Sequence, residues 1–247
     1  MINELMLLSG VDIPFYGAGV TVHNPSIKEI SYIGEEQFFT GCELINISKD
    51  IFSTEDNVDL ENISDFDIFM QIMVQSEKTL QKAKNSVYSI LALLFPDYMI
   101  EFSLVKQSLV LTNPKEENEY HINKKNFSEF KEIIQSIFCL KMSNKEDYNP
   151  SGDLSARIAK KLQERHQKLA QQSAGSHKIA IFSRYLSILS VGLQKSINEL
   201  SQYTVYQLFE EFERYQLKLS YDIYIQAKMA GAKDLEEVDH WMKDLHP

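Results

Sequence analysis

Val20-Thr21-Val22-His23-Asn24-Pro25-Ser26-Ile27-Lys28-Glu29-Ile30 changes its period part-way along. Val20 and Val22 alternate with polar neighbours as a half-buried strand does. Asn24-Pro25 breaks that run. Ser26 then stands three residues before Glu29, the spacing of a capping box, in which hydroxyl and carboxylate each satisfy a backbone N–H of the other. Ile27, Ile30 and Ile33 continue at helical spacing. A strand delivered directly into a capped helix points to an α+β fold.

Working back, Leu5-Met6-Leu7-Leu8, residues 11–15 and residues 19–23 read as short strands separated by Gly10 and Gly17-Ala18-Gly19, so a small sheet is expected at the start. Working forward, Gly34 ends the first helix. Glu35-Glu36 opens the next at its positive end, with Phe38, Phe39, Cys42 and Ile45 inward. Residues 49–61 are polar and predict a loop. Ser64 caps a helix whose Phe66, Phe69, Met70 and Met73 are core, and a helix over about 77–94 buries Val87, Ile90, Leu91 and Leu94 before Pro96 stops it. The period then falls to two. Met99, Ile100, Phe102 and Leu104, a turn at Lys106-Gln107-Ser108, and Leu109 to Leu111 predict a β-hairpin that residues 119–122 join. Asn126 or Ser128 opens a helix ending near residue 141, with Phe127, Phe130, Ile133, Ile134, Ile137 and Phe138 inward.

Asn149-Pro150-Ser151-Gly152 is the clearest linker signal. The organisation expected is an α+β module over 1–142, a linker over 143–152 and a helical module over 153–247. The whole is α+β, predominantly α-helical. In the second module, residues 154–172 form a polar helix with a thin stripe of Leu154, Ile158, Leu162 and Leu169. Residues 178–193 form a well-buried helix with Ile181, Phe182, Tyr185, Ile188 and Leu189. Thr204 caps a long aromatic helix over 205–230, Gly231 closes it in the left-handed conformation, and 235–245 make a terminal helical turn bearing the only tryptophan, Trp241.

With 12 Tyr, 14 Phe and 44% hydrophobic residues, this chain of 247 residues has the material for a core. Its net charge of -10 argues against general nucleic-acid binding, which needs cations to displace counterions from phosphate. Residues 1–75 hold only Lys28 and Lys49 as strong bases, whereas 157–168 are locally basic, so a basic partner suits the front half. Cys42 and Cys139 read as buried reduced thiols. No basic n-region precedes Leu5 and no run approaches a bilayer span, so the cytoplasm is the expected location.

Chemistry-bearing patterns are sparse. The histidines lack HxxxH or HExxH spacing; Asp234, Glu236, Glu237 and Asp239 lack the central glycine of an EF-hand; Gly17-Ala18-Gly19 lacks the third glycine of a dinucleotide fingerprint. The expectation is a binding protein without enzymatic activity, cofactor or metal. The candidate protein-binding residues are Asp222, Tyr224, Lys228, Lys233 and Trp241. They lie around a stretch in which Ala227, Ala230 and Ala232 would equally suit tight helix packing.

Residues 20–30 with Gly34-Glu35-Glu36-Gln37-Phe38 resemble the opening of accessory proteins encoded among bacteriophage tail genes. Residues 223–233 with Trp241-Met242-Lys243-Asp244 are similar to the ending of tail assembly chaperones and baseplate-hub assembly proteins. That resemblance implies a non-virion helper that binds and solubilises a tape-measure or hub component. Two alternatives stay open: a structural tail or baseplate component, and an acidic helical adaptor for a basic protein. Self-association is compatible with each.

Overall fold

The computed structural model describes residues 2–48, 63–74, 81–116, 118–140, 180–232, 235, 236 and 238–245. The expected loop over 49–61, the linker over 143–152 and the polar helix over 154–172 lie outside the described residues. So does Lys233.

The first element corrects the sequence reading. Residues Glu4–Ser9 form helix α1, not a strand. Asn3 accepts the Leu5 N–H at 2.9 Å, and Gly10 takes a left-handed φ of 65° with its N–H returning to Leu7. A short apolar run does not reveal its period, and here the two caps decide. β1 (Ile13–Phe15) and β2 (Val20–Val22) then pair antiparallel, Phe15 opposite Val20, with Ile13, Phe15, Val20 and Val22 buried.

The capping box at Ser26 forms as expected and starts α2 (Ile27–Ser31). Glu29 Oε2 accepts from the Ser26 N–H at 2.8 Å and its hydroxyl at 2.7 Å. The His23 ring sits between two carboxylates, Nδ1 at 2.9 Å from Asp12 and Nε2 at 3.1 Å from Glu29. Helix α3 (Glu35–Ile45) buries Phe38, Cys42 and Ile45, α4 (Asp65–Val74) buries Phe66, Phe69, Met70 and Met73, and α5 (Gln81–Leu94) buries Val87, Ile90, Leu91 and Leu94. Ser64 caps α4 as expected, accepting from Asp67 N at 3.3 Å, and Asp67 in turn accepts from the Ser64 N–H at 2.9 Å.

β3 (Met99–Ser103), β4 (Ser108–Thr112) and β5 (Glu119–Ile122) make a three-stranded antiparallel sheet in sequence order. Its hairpin turn spans 104–107, with Gln107 at a φ of 44°, so Leu104 belongs to the turn and is exposed while Ser108 opens the next strand. Helix α6 (Phe127–Ile137) follows. Asn126 precedes it without a side-chain cap bond. Its amide donates to the carbonyls of Gly17 and His121 instead, tying the first hairpin to the third strand.

The last part comprises α7 (Ile181–Leu193), α8 (Ile197–Leu200) and α9 (Val205–Met229). In α7 only Phe182 and Leu189 are buried and Ile188 is exposed, so one narrow face packs where a well-buried helix was expected. In place of the helical turn expected over 235–245, the described residues 238–245 show a turn closed by Lys243 N to His240 O at 3.0 Å.

These helices dock on the front of the molecule. Phe38 of α3 meets Phe138 at 4.8 Å and Phe182 at 5.5 Å, both edge-on, and Phe39 stacks on Phe182 at 5.4 Å. Ser26 and Thr204, two helix N-caps, form an antiparallel bridge, with Ile27 N to Tyr203 O and Lys28 N to Ser201 O both at 2.8 Å. One hydrophobic core therefore runs from Leu7 to Phe212.

Two outcomes follow. A Cβ on Gly41 would sit 2.6 Å from Ile90 Cγ1 and 2.7 Å from the Ser86 carbonyl, so Gly41→Ala should force α3 and α5 apart and cost about 1–3 kcal/mol by urea unfolding. Burial alone would raise the Glu29 carboxyl, but its bonds from Ser26 and His23 prevail and hold it below its ordinary value. A depressed folded-state value stabilises above the unfolded one, so the advantage of the wild type over Glu29→Gln should be present at neutral pH. It should fade as pH falls below about 4, when measured by paired denaturation curves.

Candidate protein-binding arm

Helix α9 begins inside the core and ends outside it. Thr204 caps it, accepting from Gln207 N at 3.3 Å, while Gln207 Nε2 reaches the Leu8 carbonyl at 2.7 Å. Val205, Tyr206, Leu208 and Phe212 are buried. Phe212 stacks on Tyr185 at 3.7 Å, and Tyr215 lies so close to Gly192 that a Cβ there would meet its ring. Among the described residues of α9, none after Phe212 is buried.

The apolar stripe nevertheless continues. Leu208, Phe212, Tyr215, Leu219 and Ile223 follow one another at spacings of three and four, one helical face. Leu219 is 47% and Ile223 58% exposed, and Met229 near the tip is 84% exposed. The face outruns the body that covers its first half.

The opposite face carries the returning chain. Gly231, at a φ of 84°, sends its N–H to Lys228 O, and Ala232 N bonds to Ala227 O, the paired bonds of a Schellman turn. The tail then runs back. Arg214 Nη1 donates to the carbonyls of Trp241 at 2.9 Å and Lys243 at 2.6 Å, its Nη2 meets Glu210 at 3.0 Å, and His240 packs on Tyr221 at 4.6 Å. At 100° per residue Arg214 and Tyr221 lie on the far side of the helix from Leu219 and Ile223.

This geometry divides the expected site residues. Asp222 is held by Lys218 at 2.6 Å and flanks the open face. Lys228 lies over the Tyr224 ring at 5.6 Å, on the side where the tail returns. Trp241 stacks on His240 at 6.1 Å, and its carbonyl is engaged by Arg214. They share the arm but not one face. Leu219 and Ile223 were missed, although their spacing after Leu208 and Phe212 is legible in the sequence. Arg214 had no local signal.

Ser108 Oγ lies 3.1 Å from His121 Nδ1, and His121 Nε2 is 3.8 Å from Glu119. Ser108 is 2% exposed, and Lys106 already pairs with Glu119, so the hydroxyl ties β4 to β5 and is closed to substrate. Burial, with Glu43 a smaller contributor, pushes the Cys42 thiol upward. Burial first, and then Glu213 and Glu210, push Cys139 to about 12, so both thiols are protonated at neutral pH. Among the described residues no three His, Cys, Asp or Glu side chains gather to hold a metal ion, and no helix is long and apolar enough to cross a membrane.

Residues 172–246 match the family model described as the YomV second domain. The matched segment is under a third of the chain and contains α7, α8, the whole arm and its returning tail. Neither curated proteins nor solved structures give a match.

If the tail is clasped to the arm by Arg214, Arg214→Ala should release it. The emission of Trp241, the only tryptophan, should shift to the red, while the thermal midpoint moves by no more than about 2 °C because no buried residue is disturbed.

Proposed function

We propose that this protein is a phage assembly factor without enzymatic activity, one that binds a tail protein, a tape-measure or hub component, and keeps it soluble during tail morphogenesis. Two things support the reading. The arm and its neighbours match a phage-associated domain family, and the arm extends an apolar face beyond the core. The second carries the argument.

A long client helix exposes an apolar stripe that aggregates in water unless it is covered. Leu219 and Ile223, with Gln226 and Ala230 on the same side, offer a complementary stripe along which such a helix can lie. Each large aliphatic side chain fully covered contributes about 1.5–3 kcal/mol before the cost of association. Ala230 lets the client approach closely. Such contacts hold a client yet release it when the growing tail tube offers a larger apolar surface.

The test uses Leu219→Glu with Ile223→Asp, which alters only exposed positions. Coexpressed with the tail client, the wild type should keep it in the soluble fraction and copurify with it; the double variant should do neither, with an unchanged circular dichroism spectrum. Equal capture by both proteins would overturn the assignment to the arm. Recovery of the protein from purified particles at structural stoichiometry would overturn the helper role.

A further inference from the structure

Away from the arm, α1, β1 and α6 enclose a slot of about 110 Å³ lined by Ile2, Met6, Ile13, Pro14, Ile133 and the largely exposed Tyr16, with Glu129 and Glu132 on one rim. Small-molecule pockets run to about 300–1,000 Å³. This slot has room for one long side chain.

Its charge is one-sided. Residues 2–16 contain no lysine or arginine, so the wall they build is apolar with no cation. The facing wall is α6, where Glu129 and Glu132 stand one turn apart on the same face. One Glu129 oxygen accepts the Gly17 N–H at 3.0 Å, which fixes that carboxylate over the slot. The Glu132 carboxylate is exposed and has no partner among the described residues.

We infer that the slot is a second contact surface, which takes an arginine side chain from a basic, amphipathic segment of a partner protein. The aliphatic stem packs on Met6, Ile13 and Ile133, and the guanidinium reaches the two carboxylates, whose separation along the helix suits a planar group with five donors. A neutral apolar side chain would leave the Glu132 carboxylate unpaired and Glu129 with only its Gly17 N–H, and an acidic one would be repelled. Arginine seated in a pocket with an apolar wall is the kind of anchor that dominates a protein interface.

The probe is a fluorescein-labelled amphipathic peptide of leucine, alanine and arginine, read by anisotropy at about 0.15 M salt, where screening suppresses attraction to the net negative charge. Saturable binding is expected, weakened at least tenfold by Glu132→Lys. Glu116→Lys makes the same charge change in the β4–β5 turn and should leave affinity within twofold. A peptide with glutamate in place of arginine should not bind. Absence of saturable binding, or equal weakening by the two lysine variants, would overturn the inference. Because the slot is separate from the arm, Leu219→Glu with Ile223→Asp should leave peptide affinity unchanged, so the two readings fail independently.

Discussion

The antiparallel bridge between Ser26 and Thr204 is the contact on which the arrangement turns. Both residues are helix N-caps, and an N-cap has extended backbone dihedrals, so each can take part in a strand-like pairing just before its helix begins. Each cap satisfies its own helix through its hydroxyl, leaving main-chain groups nearby for the neighbour: the Ile27 and Lys28 N–H groups go to Tyr203 and Ser201. Since the first turn of a helix otherwise leaves N–H groups unpaired, the junction solves the same problem for α2 that water would solve at a surface. It also sets the origin of α9, hence the direction in which the arm leaves the body.

Around that junction the aromatic side chains do the long-range joining. Phe130 stacks on both Phe15 and Phe95, linking the first hairpin, α5 and α6, and Phe38 joins α3, the end of α6 and α7. Aromatic pairs of this kind add about 0.5–1.5 kcal/mol beyond their buried area. Asn126 provides the polar counterpart, bonding two carbonyls from separate segments while it accepts from Asn123 N. Its place there explains why it does not cap α6.

Much of this was legible in the residues because the signals are local. The Ser26–Glu29 box, the Ser64 cap, the third strand from Glu119 to Ile122 and the left-handed Gly231 each depend on a few adjacent positions. Residues Leu5 to Leu8 were read as a strand because their periodicity is ambiguous, and the deciding caps lie just outside the run. The exposure of Ile188 could not be read, since an apolar residue at a core spacing says nothing about whether a partner element reaches it. The candidate site suffered in the same way. The stripe from Leu208 to Ile223 is visible as a pattern, but where the body ends along it is a tertiary fact. The same holds for Arg214 against the Trp241 carbonyl and for Glu132 beside Met6.

The Schellman turn at Gly231 gives the arm a hairpin shape, so its tip is a bend in the chain. From Arg214, where the tail is clasped, to Met229 is about 22 Å at 1.5 Å per residue. Reach and grip are thereby separated. Residues inserted in matched pairs either side of Gly231 would lengthen the lever without altering the buried end of α9 or the bridge at Thr204. A lineage could fit the same body to clients of different length by changing that one bend.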